Sequence, residues 1–95
     1  MSDKPRLDIR HRPIPGRFSV EVDGVTAYLD YGMDDGVMHI THTVVPEAIG
    51  GRGIAGQLVQ AAFDHARSEG WKVETVCEYA EAWAGRHPEV ADLLV

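Results

Sequence analysis

Two stretches carry residue types that could do chemistry: Gly50-Gly51-Arg52-Gly53-Ile54-Ala55-Gly56 and Cys77-Glu78-Tyr79. Four glycines within seven residues leave a backbone free to take positive φ and to approach a ligand closely. The loop follows an apolar β-like run at 38–45 and opens an amphipathic helix pattern at 54–67. A helix N-terminus presents unpaired N–H groups and the positive end of a dipole. Strand, glycine loop and helix start together make a cradle for phosphate oxygens, so the pattern predicts a phosphate-bearing cofactor. Cys77 closes the strand-like run 71–77 directly before a second helical stretch, where the dipole favours a thiolate nucleophile. The same position also suits a small buried core residue. Glu78 is the adjacent candidate base and Tyr79 a candidate acid, although a helix start explains both structurally. His42 is a weaker candidate base, with a hydrogen-bonded core histidine as its other role.

Alternation and turn residues predict the elements that hold these groups. Phe18, Val20 and Val22 alternate with polar residues, Asp23-Gly24 is a hairpin signal, and the run 25–31 alternates in the same way. Asp34-Asp35-Gly36 is a second turn. The β-branched run 37–45 follows it, placing Met38, Ile40, His42 and Val44 on one face, until Pro46 stops it. These three runs make an antiparallel meander. On that alternation His39 and His42 face opposite ways and cannot share a metal, and His11, His65 and His87 show no ligand spacing with them. Ile54, Leu58, Ala62 and Ala66 recur at four-residue steps, and Gly70 terminates the helix they define. The run 71–77 then returns as a strand parallel to 37–45. A short helix at 79–85 and a last helical turn within 89–95 complete the chain. Residues 1–16, with scattered charge and three prolines, are expected to be a loose arm, with an extended segment near 7–10.

Composition narrows the classes. Ninety-five residues, 44% hydrophobic and 25% charged, describe one domain at 17–95 with a single core. A formal net charge of −6 argues against nucleic acid as a partner and could attract a cationic amine. No apolar run reaches the ~20 residues of a membrane span, and the charged N-terminus is unlike a secretory signal. The single cysteine fits a reducing cytoplasm. A monomer or weak homodimer is expected.

Which phosphate ligand fits depends on the loop's surroundings. A P-loop needs Gly-Lys-Ser/Thr, whereas this loop ends Gly56-Gln57-Leu58. The dinucleotide pattern G-x-G-x-x-G is present as Gly51, Gly53 and Gly56, but it normally opens a parallel doubly wound sheet. The run from Thr43-Val44-Val45-Pro46-Glu47 through Gly51-Arg52-Gly53-Ile54-Ala55 to Leu58-Val59 instead resembles the pyrophosphate-binding motif of the GNAT acetyltransferase superfamily. That motif is Arg/Gln-x-x-Gly-x-Gly/Ala, and Gly50 stands where the Arg or Gln is expected. With Cys77-Glu78-Tyr79, His87-Pro88-Glu89 and Asp92-Leu93 following in order, residues 17–95 look like the short, single-domain branch of that superfamily.

The resemblance implies a minimal GNAT-like α+β (α/β) fold: a meander, a parallel strand–helix–strand crossover and a short C-terminal helix. It implies acetyl-CoA held by Gly50, Gly51, Arg52, Gly53, Ile54, Ala55 and Gly56, with pantetheine between the splayed ends of the strands at 37–45 and 71–77. The amide of Val44 or Val45 would face the acetyl carbonyl, and Cys77 could carry the acetyl group covalently. The implied activity is N-acetyl transfer to a small or protein-borne amine. A coenzyme A-binding module with little catalysis of its own is the other functional class, because the tight turns supply no acceptor pocket.

Overall fold

Side-chain alternation builds a five-stranded sheet in the computed structural model, which describes residues 7–95. The strands are β1 (Arg10–Arg12), β2 (Arg17–Val22), β3 (Val25–Asp34), β4 (Val37–Val44) and β5 (Lys72–Thr75), and they lie in sequence order across the sheet. The first four pair antiparallel, while β4 and β5 pair parallel through the crossover helix α1 (Ile54–Glu69). Helix α2 (Glu78–Gly85) follows β5, and a 3-10 segment (Pro88–Leu93) ends the fold. The meander, the parallel crossover and the short last helix agree with the fold expected from sequence.

Both hairpin turns form as their sequences require. Asp23-Gly24 and Asp35-Gly36 have positive φ at both central positions (52° and 77°, 52° and 78°), which matches the right-handed twist of the flanking strands. Phe18, Val20, Ala27, Leu29, Tyr31, Met38, Ile40 and Val73 project from one face of the sheet. Ile54, Leu58, Val59, Ala62, Phe63 and Ala66 of α1 and Ala80, Trp83 and Ala84 of α2 cover them. Each large aliphatic or aromatic side chain buried here contributes about 1.5–3 kcal/mol. Helix α1 ends at Gly70, where the Gly70 and Trp71 amides donate to the Arg67 and Ala66 carbonyls and close the last turn. The opposite face of the sheet carries no helix among the described residues and is polar.

Three expectations are corrected. Residues 10–16 are not a loose arm. Arg10–Arg12 is an edge strand on β2, three residues beyond the start of the extended segment expected at 7–10, and Leu7 and Ile9 pack half-buried against the core. Gly16 fastens the connection: its carbonyl accepts the Tyr31 amide, and a Cβ there would stand 2.3 Å from the Tyr31 carbonyl oxygen. Residues 1–6 of the expected arm lie outside the described residues.

The second correction concerns β4. The register passes from Asp30↔His42 to Tyr31↔Ile40, so Thr41 is an extra residue, a β-bulge. The bulge reverses the alternation. Met38 and Ile40 face the core, but His42 and Val44 lie opposite Asp30 and Tyr28 on the polar face, and Thr43 lies opposite buried Leu29. His42 therefore does not share a face with Ile40, and it shares one with His39. Third, β5 spans only Lys72–Thr75, because the Ile40 carbonyl accepts the amides of both Val76 and Cys77 (3.0 and 2.9 Å) and the chain turns away there. No group of three or more potential metal ligands is found among the described residues.

Candidate active site

The bulge in β4 and the early end of β5 together open the sheet. Parallel pairing stops at Ile40↔Thr75, whereas β4 continues to Val44. Cys77 sits at the mouth of this opening as the N-cap residue of α2, with the helix dipole behind it. Its sulfur lies 3.6 Å from Thr43 Oγ1. Burial pushes the thiol pKa up, but the backbone amides of Ala80, Tyr79 and Thr43 and the Thr43 hydroxyl outweigh it, holding Cys77 below the ordinary thiol range. Cys77 is half-buried: core atoms back the residue and the sulfur faces a polar cage. Glu78 and Tyr79 are exposed in the first turn of α2, where Glu78 complements the dipole.

The glycine loop lies at the same end of the sheet. A single 3-10 turn, Glu47–Ile49, buries Ile49 and delivers Gly50 to Gly53. Gly51 and Gly53 take φ of 75° and 76°, a conformation glycine adopts without strain, and the space where either Cβ would stand is open. Gly53 is the N-cap of α1, no side chain caps the helix, and its first turn has no acidic residue. That helix start keeps its positive end free for an anion. Arg52 is ion-paired with Asp23 of the β2–β3 turn, Nη1 to Oδ2 at 2.7 Å.

Between α1 and α2 is a cleft of about 340 Å³. Gly53, Gly56, Gln57 and Gln60 form one wall, and Tyr79, Trp83, Arg86 and His87 form the other. A Cβ at Gly56 would stand 3.5 Å from both Trp83 Nε1 and Tyr79 Oη, in ordinary contact, so α1 meets these two α2 side chains at Gly56. Gln57 Nε2 is buried without a hydrogen-bond partner among the described residues, an amide donor beside the helix start. His87 stacks on Trp83 at a ring distance of 3.8 Å and donates from Nδ1 to the Trp83 carbonyl (2.7 Å), leaving Nε2 unengaged by that bond. A phosphate-bearing chain fits this cleft: free helix-start amides at one end, an orphaned amide donor within, and Arg86 at the rim.

The sequence of residues 17–93 matches the family model described as GCN5-related N-acetyl-transferase. The chain belongs to the GCN5-related N-acetyltransferase family. Relatives include protein NATD1 of Xenopus tropicalis, 31% identical over 93 residues, covering 93% of this chain and 84% of that protein. Protein NATD1 of Mus musculus is 35% identical over 85 residues, covering 86% and 77%. A GCN5-like protein of Staphylococcus aureus, solved by NMR, superposes with a TM-score of 0.75 at 26% identity, covering 100% of this chain and 91% of that one. The GNAT-like architecture expected from sequence is therefore the architecture found, and the parallel doubly wound sheet required by the dinucleotide reading is not.

The structure brings together most of the residues singled out from sequence. Gly50 to Gly56 form the loop and helix start, and Cys77 faces the opening beside β4. Val44 lies opposite Tyr28, and Val45 packs half-buried against the core. Sequence reasoning passes over Thr43 as a chemical group and Gln57 as a cleft donor. The only local signal for Thr43 is its place between His42 and Val44; its approach to Cys77 depends on the bulge.

Proposed function

We propose that this family member is an acetyl-CoA-dependent N-acetyltransferase that holds the coenzyme's pyrophosphate on residues 50–56 and its pantetheine arm along the free side of β4. The observation that carries the reading is that Tyr79 links two features: its side chain lines the cleft at the uncapped start of α1, where the Gln57 amide has no partner among the described residues, and its backbone amide belongs to the polar cage around Cys77. Coenzyme A, when bound, would supply a thioester-activated acetyl group. The amides of Ile54, Ala55 and Gly56, with Arg52, suit the phosphates, and Arg86 and His87 suit the outer end of the coenzyme. Because the Thr43 amide is directed to the open side, alternation makes Val45, of the pair Val44 and Val45, the next donor for the acetyl oxygen. The Cys77 thiolate, held by amides and the Thr43 hydroxyl, is suited to accept the acetyl group, and Glu78 is the nearest carboxylate in sequence. The acceptor is an amine, small or protein-borne. The protein is read as a cytoplasmic monomer or weak homodimer; no described helix is long and apolar enough to cross a membrane.

The test is incubation with labelled acetyl-CoA without acceptor, followed by mass spectrometry of the Cys77 peptide. Expected is an acetyl group on Cys77, absent in Cys77→Ala, that moves to added amines. The second reading, a coenzyme A-binding module, is favoured by one observation: two-residue turns join β2 to β3 and β3 to β4, where an acceptor pocket would need longer segments. Tight coenzyme A binding with no transfer to any amine would favour it.

A further inference from the structure

The two ends of the cleft between α1 and α2 differ in what they leave available to a ligand. At the glycine loop, Gly50 supplies no side chain where the family motif carries Arg or Gln, and the loop's own cation, Arg52, already has Asp23 as counter-ion at 2.7 Å. Gln60 stands about 10 Å along α1 from Gly53, at 1.5 Å per residue. The other wall starts at Tyr79 and Trp83, which meet Gly56, and runs out to Arg86 and His87 beyond the last residue of α2. Arg86 pairs with no carboxylate among the described residues, in contrast to Arg17, Arg52 and Arg67. The Trp83 carbonyl accepts the Arg86 amide (3.0 Å) and His87 Nδ1 (2.7 Å), and the Ala84 carbonyl accepts the His87 amide (3.1 Å). With those lone pairs engaged, the helix end presents fewer bare carbonyls to an anion beside Arg86. Three rings are layered here. Phe63 lies near-parallel to buried Trp83 at 5.4 Å, and His87 lies near-parallel to Trp83 at 3.8 Å. The Nδ1 bond fixes the imidazole, and its face turned from Trp83 carries no ring among the described residues.

We propose that this chain anchors the coenzyme by charge and stacking at its nucleotide end: Arg86 pairs with the 3′-phosphate and the His87 ring carries the adenine, while the glycine loop holds the pyrophosphate through backbone amides with little net charge. This rests on the coenzyme reading above. The physical reason is competition. A phosphate that reaches Arg52 must displace Asp23, so part of that attraction goes into breaking an existing pair. A phosphate that reaches Arg86 displaces water, and the guanidinium fork matches two phosphate oxygens. A flat ring held in place by Trp83 is a platform on which a nucleobase stacks without first ordering the side chain. The consequence is specificity. The protein distinguishes coenzyme A from its 3′-dephospho form, which lacks the group that Arg86 reads.

Calorimetric titration with three ligands tests this: coenzyme A, 3′-dephospho-coenzyme A, and adenosine 3′,5′-bisphosphate, which has the nucleotide end and no thiol arm. The wild type is expected to bind coenzyme A about tenfold or more tighter than the dephospho form, as one charge-assisted contact allows. It also binds the bisphosphate in competition with coenzyme A. Arg86→Gln lowers the affinity for coenzyme A to that for the dephospho form and leaves the dephospho form unchanged. His87→Ala weakens all three ligands about tenfold, the scale of one stacked base, and His87→Phe, which keeps a flat ring, restores them. The wild-type ratio needs no variant and decides the phosphate contact even where His87→Ala fails to fold. Equal binding of coenzyme A and its dephospho form by the wild type overturns the role of Arg86, and His87→Phe as weak as His87→Ala overturns the platform. Absence of any coenzyme A binding by the wild type overturns the coenzyme reading itself, an outcome distinct from binding that ignores the 3′-phosphate.

Discussion

Asp23 of the β2–β3 turn reaches across the end of the sheet to Arg52 of the glycine loop, with 2.7 Å between carboxylate and guanidinium. The contact ties the glycine loop to a hairpin far from it in the chain. It also gives Arg52 a counter-ion that a phosphate would have to replace. Both partners are substantially exposed, so the pair contributes little to stability. Asp23→Asn is expected to leave the melting temperature nearly unchanged and to tighten coenzyme A binding severalfold. Arg52→Ala should weaken binding about tenfold, as loss of one charge-assisted contact does. Calorimetric titration of both variants decides it, and weaker binding in Asp23→Asn would mean that the aspartate positions Arg52 instead of competing for it.

Thr43 is expected to control the reactivity of Cys77. Thr43→Val removes one of the groups that hold the thiol below its usual range, while the backbone amides stay in place. The thiolate fraction at neutral pH falls, so alkylation by iodoacetamide slows and its rate–pH profile moves to higher pH. An unchanged profile in this variant would show that the amides alone set the ionisation.

Gln57 separates stability from binding. Its buried Nε2 lacks a partner among the described residues, and replacing it with an apolar group of similar size removes that cost. Gln57→Leu should raise the unfolding free energy by about 1 kcal/mol. It should also weaken coenzyme A binding, because the cleft loses its internal donor. Denaturant unfolding and ligand titration on one preparation test both halves, and a loss of stability would contradict the account.

The edge strand should respond to pH. His11 stacks on Phe18 at 4.1 Å, meets the His65 ring at 4.4 Å and is hydrogen-bonded to the Tyr31 hydroxyl. Burial, and secondarily the neighbouring His65, lowers its pKa from the ordinary histidine value. The unfolded chain then binds the proton more readily than the folded one. The stability held by neutral His11 is complete above the ordinary histidine pKa of 6.5 and is lost as pH falls from there through the lowered folded value. His11→Phe keeps the stacking without the proton, so its melting temperature should fall less than the wild type's between neutral and mildly acidic pH. Parallel curves for the two proteins would remove His11 from the explanation.

Much of the fold is legible locally. The alternation in 17–22 and 25–31 and the Asp-Gly turns specify a meander because each depends on residues within a hairpin's reach. The four-residue recurrence from Ile54 to Ala66 likewise specifies α1, whose observed end at Glu69 lies just before the terminating Gly70. The glycine loop at 50–56 and the helix start it leads into are legible for the same reason: both are properties of one short segment.

What sequence alone determined is thus the order of elements, the glycine loop at the start of α1 and the cysteine at the start of α2. Only the tertiary structure decided which way the groups beyond Ile40 face. The bulge at Thr41 arises from the register between β3 and β4, and no period in 37–45 marks it. That one extra residue sends His42 to the polar face and Thr43 to Cys77, reversing the expected alternation. The docking of β1 through His11, Phe18 and His65, and the pairing of Asp23 with Arg52, were likewise decided in three dimensions. Each joins residues far apart in the chain, and such contacts form when packing the sheet against α1 repays the entropy of bringing them together.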